Sequence, residues 1–179
     1  MRGSTKLKTY PLHHKTDLIS ACVDILCEEW PRNQNLRYQS IKKSNDEFPI
    51  WFVCFKDDDQ FVVGCCFVQL LKQVNHPLDT NSVFLQSFLI RKGCRQKGLG
   101  TIFLKQVEDY LHKNEISRIY LTSDNATNFY LRCGFCVCEP VASFQGSRDL
   151  FSKITNSHLK QVINSNNDGK VWMMKSLVS

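Results

Sequence analysis

Residues 82–114, SVFLQSFLIRKGCRQKGLGTIFLKQVEDYLHKN, constrain the fold more than any other stretch of the chain. An apolar run meets a basic, glycine-broken turn, and apolar residues at helical spacing follow. The pattern predicts a strand over 82–90 feeding a helix over 99–114, with Ile102, Phe103, Gln106, Val107 and Tyr110 near the buried side of that helix. Glycines at a helix start let a ligand approach the backbone, and first-turn amides lack helical acceptors, so an anion is the expected guest. Three phosphate-type motifs compete for the turn. Gly93 and Gly98 have the glycine interval of a Walker loop, but Leu99 and Gly100 follow where a lysine and a Ser/Thr are required. A dinucleotide fingerprint needs a third glycine at position 103, which holds Phe103. The hexamer Arg95-Gln96-Lys97-Gly98-Leu99-Gly100 fills the pattern Arg/Gln-x-x-Gly-x-Gly/Ala without a gap. An ordinary basic turn ahead of a helix cap fits the same six residues.

A chain of 179 residues suits a single domain, 1–179, with a substantial core. Apolar residues make up 42% and charged residues 22%, as in ordinary globular proteins. No apolar run approaches a membrane span, and MRGSTKLKTYPLHHK lacks a signal-peptide core, so a cytoplasmic protein without a membrane partner is expected. Nine scattered cysteines without a secretory signal predict reduced, mostly buried thiols. CGFCVC (Cys133, Cys136, Cys138) contains one C-x-x-C, but no second pair completes a four-ligand zinc site, so no metal is expected. The net charge of +6 is dispersed and lacks the dense basic clusters of nucleic-acid faces, which argues against nucleic acid and for an anionic cofactor with an acidic substrate.

Elsewhere the pattern alternates. Strands are expected over 8–13, 48–56, 61–74, 118–121, 135–144 and 170–177. Helices are expected over 17–30, 36–43 and 126–133. The first carries Leu18, Cys22, Ile25 and Leu26 on one stripe and stops at Pro31, and the last ends at Gly134. Residues 145–169 read as a long polar loop with a weak helix over 157–163.

This element order, the hexamer at 95–100 and NATNFYLRCGF together resemble the GCN5-related N-acetyltransferase (GNAT) superfamily. The second signature of that superfamily, A-x-x-F/L-Y-x-x-x-G-F, falls on Ala126, Phe129, Tyr130, Gly134 and Phe135. The resemblance covers nearly the whole chain. It implies an α/β fold: a mixed, mostly antiparallel central sheet of about seven strands, flanked by about four helices and splayed between the fourth and fifth strands. It also implies acetyl-CoA as donor. Phe88, Leu89 and Ile90 would bind acetyl and pantetheine, and the amides of Gln96, Lys97, Gly98, Leu99, Gly100 and Thr101 would bind pyrophosphate, with charge added by Arg95 and Lys97. Tyr130 would be the acid that protonates the thiolate. Ser123 stands where many members have asparagine, and Asn128 nearby is the substitute for that pantetheine contact. Gln86 stands where some place a glutamate base, so the base remains open between a side chain and a water held by Gln86, Ser123 or a backbone carbonyl.

Within the superfamily, CEEWPRNQNLRYQS, YLTSDNATNFYLRCGF and CEPV resemble the animal N-terminal acetyltransferases dedicated to actin. That resemblance implies post-translational acetylation of an acidic protein N-terminus in the cytosol. Trp30, Arg32, Arg37, Tyr38, Gln39 and Ser40 would line the peptide, since fixed cations beside aromatic walls suit carboxylates. A solvated basic helix flank would show the same composition. Mammalian relatives carry a proline-rich insertion suited to profilin, whereas residues 145–169 contain no proline, which argues against a profilin partner. A monomer is expected. An acetyltransferase for a lysine or small amine, and a non-catalytic CoA- or nucleic-acid-binding module, are the alternatives.

Overall fold

The computed structural model describes residues 6–58, 60–71, 81–139, 141 and 170–177. Its strands are β1 (Leu7–Pro11), β2 (Ile50–Lys56), β3 (Val62–Leu70), β4 (Ser82–Ile90), β5 (Arg118–Ser123), β6 (Cys136–Val137) and β7 (Val171–Ser176). Its helices are α1 (Ile19–Glu29), α2 (Gln34–Ile41), α3 (Leu99–Lys113) and α4 (Thr127–Arg132), with short 3-10 turns at Leu12–His14, Thr16–Leu18 and Lys92–Cys94. The strands form one open seven-stranded sheet in the order β1-β2-β3-β4-β5-β7-β6. The β1–β2, β2–β3, β5–β7 and β6–β7 pairs are antiparallel, and Ser82–Phe84 of β4 pair in parallel with Arg118–Tyr120 of β5. β3 and β4 are also antiparallel: Leu71 N–H donates to Ser82 O (2.9 Å) near one end, and Arg91 N–H to Val63 O (2.8 Å) near the other. This is the mixed α/β architecture expected from the sequence. The long loop and weak helix expected over 145–169 lie outside the described residues, as do the ends of the strands expected over 61–74 and 135–144.

The chain divides into two compact units, Met1–Leu70 with Leu85–Glu115, and Leu71–Phe84 with Ile116–Ser179. In the first, Leu18 at the cap of α1 and Ile19, Cys22, Val23, Ile25 and Leu26 of the helix are buried with β2 and β3 residues Trp51, Val53, Phe55, Val62 and Cys65. This confirms the stripe read from the sequence. The buried face of α3 is turned from the one expected. Phe103, Leu104, Val107, Glu108 and Leu111 are buried, whereas Ile102 is 45% exposed. Apolar residues occupy both flanks of this helix, and tertiary packing selected the flank that carries both leucines. Gln106 is half-buried for a polar reason: its Oε1 accepts from Thr9 Oγ1 (2.7 Å) and its Nε2 donates to Leu7 O (3.1 Å), tying α3 to β1. In the second unit Leu71, Phe84 and Tyr120 pack with Trp172 and Met174.

The described cysteines are all unpaired thiols, as expected from the sequence. Burial pushes the Cys54 thiol up to about 11, and Cys65 and Cys66 well above the ordinary range. The thiolate is the nucleophile, so these three should resist alkylation at pH 8 while exposed Cys136 reacts. Peptide mapping after brief treatment with iodoacetamide should find Cys136 labelled and the other three intact until denaturant is added. Early labelling of Cys65 would contradict the packing of α1 on β3.

Candidate functional site

The glycine turn is built on a 3-10 turn anchored by buried Cys94, whose N–H donates to Arg91 O (2.8 Å). Two left-handed residues then shape it, Gln96 at φ 61° and Gly98 at φ 73°. Gly98 is the N-cap of α3, a backbone conformation that costs an L-residue about 1–2 kcal/mol and glycine almost nothing. The first intrahelical bond runs from Ile102 N–H to Gly98 O (3.3 Å), so the amides of Leu99, Gly100 and Thr101 precede any helical acceptor. Left-handed residues among successive amides make a concave anion nest, and the helix dipole adds to it. No side chain caps this helix end.

The basic side chains of the turn brace it. Arg95 Nε donates to Ile90 O (2.8 Å) and Lys97 Nζ to Gly93 O (3.0 Å). Arg95 Nη2 also lies 2.8 Å from Glu29 Oε2, close enough for an ion pair although the angle leaves that oxygen without a directed hydrogen bond. Lys92 approaches the same oxygen at 3.9 Å, and Arg91 approaches Glu28 at 4.0 Å. Glu28 and Glu29 escaped the sequence reading, yet a signal was there. Two acids in the last turn of a helix oppose its dipole, which is tolerable when cations stand against them.

Upstream of the turn, Phe88 stacks on Phe103 of α3 (ring centroids 5.0 Å apart), and Leu89 is buried with the α1 core. Ser87, at φ 50°, breaks the alternation of β4, so that Gln86, Ser87 and Phe88 are half-buried in succession. Gly64 of β3 was also missed. A Cβ built on it would stand 2.3 Å from Leu89 O, so only glycine permits this approach of β3 to β4.

The basic loop after α1 begins where Pro31 ends the helix. Asn33 caps α2, its Oδ1 accepting from Leu36 N–H (3.2 Å). Arg32, Gln39, Ser40, Lys42 and Lys43 are exposed, Trp30 and Tyr38 are partly exposed, and Lys42 Nζ lies 4.9 Å from the centre of the Tyr38 ring. Arg37 differs from its neighbours. It is buried, its Nη2 donates to Trp30 O (2.7 Å), and its Nε is buried without a hydrogen-bond partner.

In the second unit, α4 ends in a Schellman motif. Phe135 N–H donates to Tyr130 O (3.0 Å) and Gly134 N–H to Leu131 O (3.0 Å), with Gly134 at φ 87°. The accompanying apolar contact is the Tyr130–Phe135 ring pair, centroids 5.6 Å apart. Tyr130, Gly134 and Phe135 of the sequence signature thus form one helix-terminating device that holds the Tyr130 ring. Asn128 is exposed on α4, and Ser123 Oγ accepts from Ala126 N–H (3.1 Å) at its start. Among the described residues the C-x-x-C is part of no metal-competent cluster.

The chain belongs to the acetyltransferase (GNAT) family, whose pattern matches residues 19–135. It is 26% identical over 132 residues to N-alpha-acetyltransferase 80 of Mus musculus, covering 71% of this chain and 40% of that one. The chain therefore matches about two fifths of that relative's length. Among solved structures, an aminoglycoside 6'-N-acetyltransferase complexed with coenzyme A has a TM-score of 0.65 at 13% identity, covering 97% of this chain and 98% of the other. Tetrahymena GCN5 has a TM-score of 0.62 at 13% identity, covering 96% of each chain. These likenesses establish the fold. No described helix is long and apolar enough to cross a membrane.

Proposed function

We propose that the chain moves acetyl from acetyl-CoA to the α-amine of an acidic protein N-terminus, with processed actin as substrate and the cytosol as its place of action. The observation that carries the cofactor assignment is the left-handed start of α3, capped by no side chain, whose amides have no helical acceptors and suit a pyrophosphate. Gln96 to Thr101 hold the phosphates in this reading. Phe88, Leu89, Ile90 and Asn128 hold pantetheine and acetyl, and Arg95 and Lys97 keep the turn in shape and lend it positive charge. The relative that acts as an N-alpha-acetyltransferase supports an α-amine acceptor. The chemistry agrees with it. An α-amine titrates at about 7.7–8.0, so much of it is neutral near pH 7.5, whereas a lysine near 10.4 would need a stronger base. The neutral amine attacks the thioester carbonyl, the C–S bond breaks, Tyr130 gives its proton to the departing thiolate, and the proton released by the acylated nitrogen passes to water, from which Tyr130 is reprotonated.

The acidic preference rests on the basic, aromatic loop from Trp30 to Ser40. Arg32 and Arg37, with Tyr38, Gln39 and Ser40, meet the carboxylates of the peptide, and Arg37 also holds Trp30 by donating to its carbonyl. An exposed ion pair is worth ~0–1 kcal/mol and a partly desolvated, hydrogen-bonded one ~1.5–3 kcal/mol. Arg32→Ala should therefore lower kcat/KM on Asp-Asp or Glu-Asp peptides by roughly tenfold and hardly change a neutral peptide. Arg37→Ala should do the same and also lower Tm, because Trp30 O loses its donor. The deciding assay is a peptide panel varied at its first residues, with acetyl-CoA and intact-mass readout. A preference for Met-Leu or Ser-Ala starts, or acetylation only of internal lysines, would remove the acidic N-terminus from the reading.

A further inference from the structure

We propose that His13, His14 and Asp46 form a binding site for one divalent transition-metal ion of the Zn²⁺ class. His13 and His14 close the 3-10 turn after β1, and Asp46 lies in the connection between α2 and β2, 33 residues from His13. His13 Nε2 is 2.9 Å from Asp46 Oδ1 and His14 Nε2 is 3.4 Å from the same oxygen. The three ligand atoms all lie within 4.8 Å of one another. With metal–ligand bonds of ~2.0–2.1 Å, donor atoms around a tetrahedral ion stand about 3.3 Å apart. The cluster therefore needs side-chain adjustments of a few tenths of an ångström to about 1.5 Å to enclose an ion, with one position open to water. Two imidazoles and one carboxylate suit zinc and its neighbours, not magnesium or calcium.

The surroundings hold the ligands in place. His13 Nδ1 lies 2.9 Å from Ser44 Oγ, and that oxygen also accepts from Trp51 N–H (2.9 Å). A metal-binding histidine commonly donates its second ring N–H to such a partner, which fixes its tautomer and orientation. Leu12, fully buried, anchors the histidine turn, and Lys15 N–H donates to Leu12 O (2.9 Å). The Asp46 turn is braced by Asn45 N–H to Pro49 O (3.1 Å) and Glu47 N–H to Asn45 Oδ1 (2.8 Å). A bound ion would clip β1 to the turn after α2, across the segment that carries α1 and α2. Among the described residues no other His, Cys, Asp or Glu trio brings its ligand atoms together in this way.

Nine cysteines could also take up a soft metal, so the test must separate the ligand sets. Reduced full-length protein is titrated with Co²⁺ and, separately, with Zn²⁺, alongside His14→Ala and Asp46→Asn. Both side chains are at least half exposed, so both variants should fold, as circular dichroism will verify. One equivalent of Co²⁺ should bind wild type without a thiolate charge-transfer band, and each variant should bind at least tenfold more weakly. Zn²⁺ at a hundredfold excess over its Kd should raise the wild-type Tm by about 5–10 °C, a shift largely absent from the variants. A thiolate band, equal affinity in wild type and variants, or no binding to wild type would overturn the site.

Discussion

Gly100→Val is expected to weaken acetyl-CoA binding about a hundredfold or more without lowering Tm. Gly100 is the second residue of α3 and half-buried, among the three amides that precede the first helical acceptor. In the proposed site those amides hold the pyrophosphate, and a branched side chain in their midst keeps the phosphate away. Hydrogen bonds to a charged group are worth ~1.5–3 kcal/mol each, so losing one or two costs a factor of about 10 to 10⁴ in affinity. Stability should not confound the result, because valine is a better helix former than glycine, by a few tenths of a kcal/mol. Gly93→Ala is the control. It lies in the same turn, and a Cβ there meets nothing within 4 Å, so it should leave affinity unchanged. Calorimetry that finds folded Gly100→Val binding acetyl-CoA as wild type does would take the cofactor away from this turn.

What was legible in the sequence was local. The strand, the glycine turn and the helix over 82–114 could be read because hydrophobic period, glycine spacing and helix start all lie within one short window. The end of α4 was legible for the same reason, since a Schellman motif is completed by residues close in sequence. The features that escaped depend on distant partners. Gly64 sits in an otherwise β-rich run, a known sign of close backbone approach, but nothing in the sequence points to Leu89 as the strand that approaches. Arg37 reads as one more exposed cation until the carbonyl left at the end of α1 turns out to need a donor. The buried flank of α3 was ambiguous because Ile102 and Leu104 compete from opposite sides of Phe103, and only the packing decides. His13, His14 and Asp46 look unrelated in sequence for the same reason.

Tyr130→Phe is expected to lower kcat by about 10²-fold with little change in acetyl-CoA affinity, peptide KM or Tm. The expectation separates two roles of one side chain. As packing, the Tyr130 ring is buried, meets Phe129 edge-on at 5.0 Å, and closes the helix end with Phe135. Phenylalanine keeps all of that area, and the Schellman bonds use the backbone carbonyl of residue 130, not its hydroxyl. In the proposed chemistry, the hydroxyl supplies the proton that lets the CoA thiolate leave, and a single positioned acid is worth about 10²–10⁴-fold. Phenylalanine removes the hydroxyl and keeps the ring. A kcat equal to wild type would therefore assign Tyr130 to the helix cap and return the thiolate's proton to solvent. A fall in kcat accompanied by an equal loss of acetyl-CoA affinity would instead make the hydroxyl a cofactor contact. Only a fall in kcat at constant affinity leaves it as the acid. A Leu131→Ala control on the neighbouring residue, 45% exposed, should change neither quantity, which separates damage to α4 from loss of the proton donor.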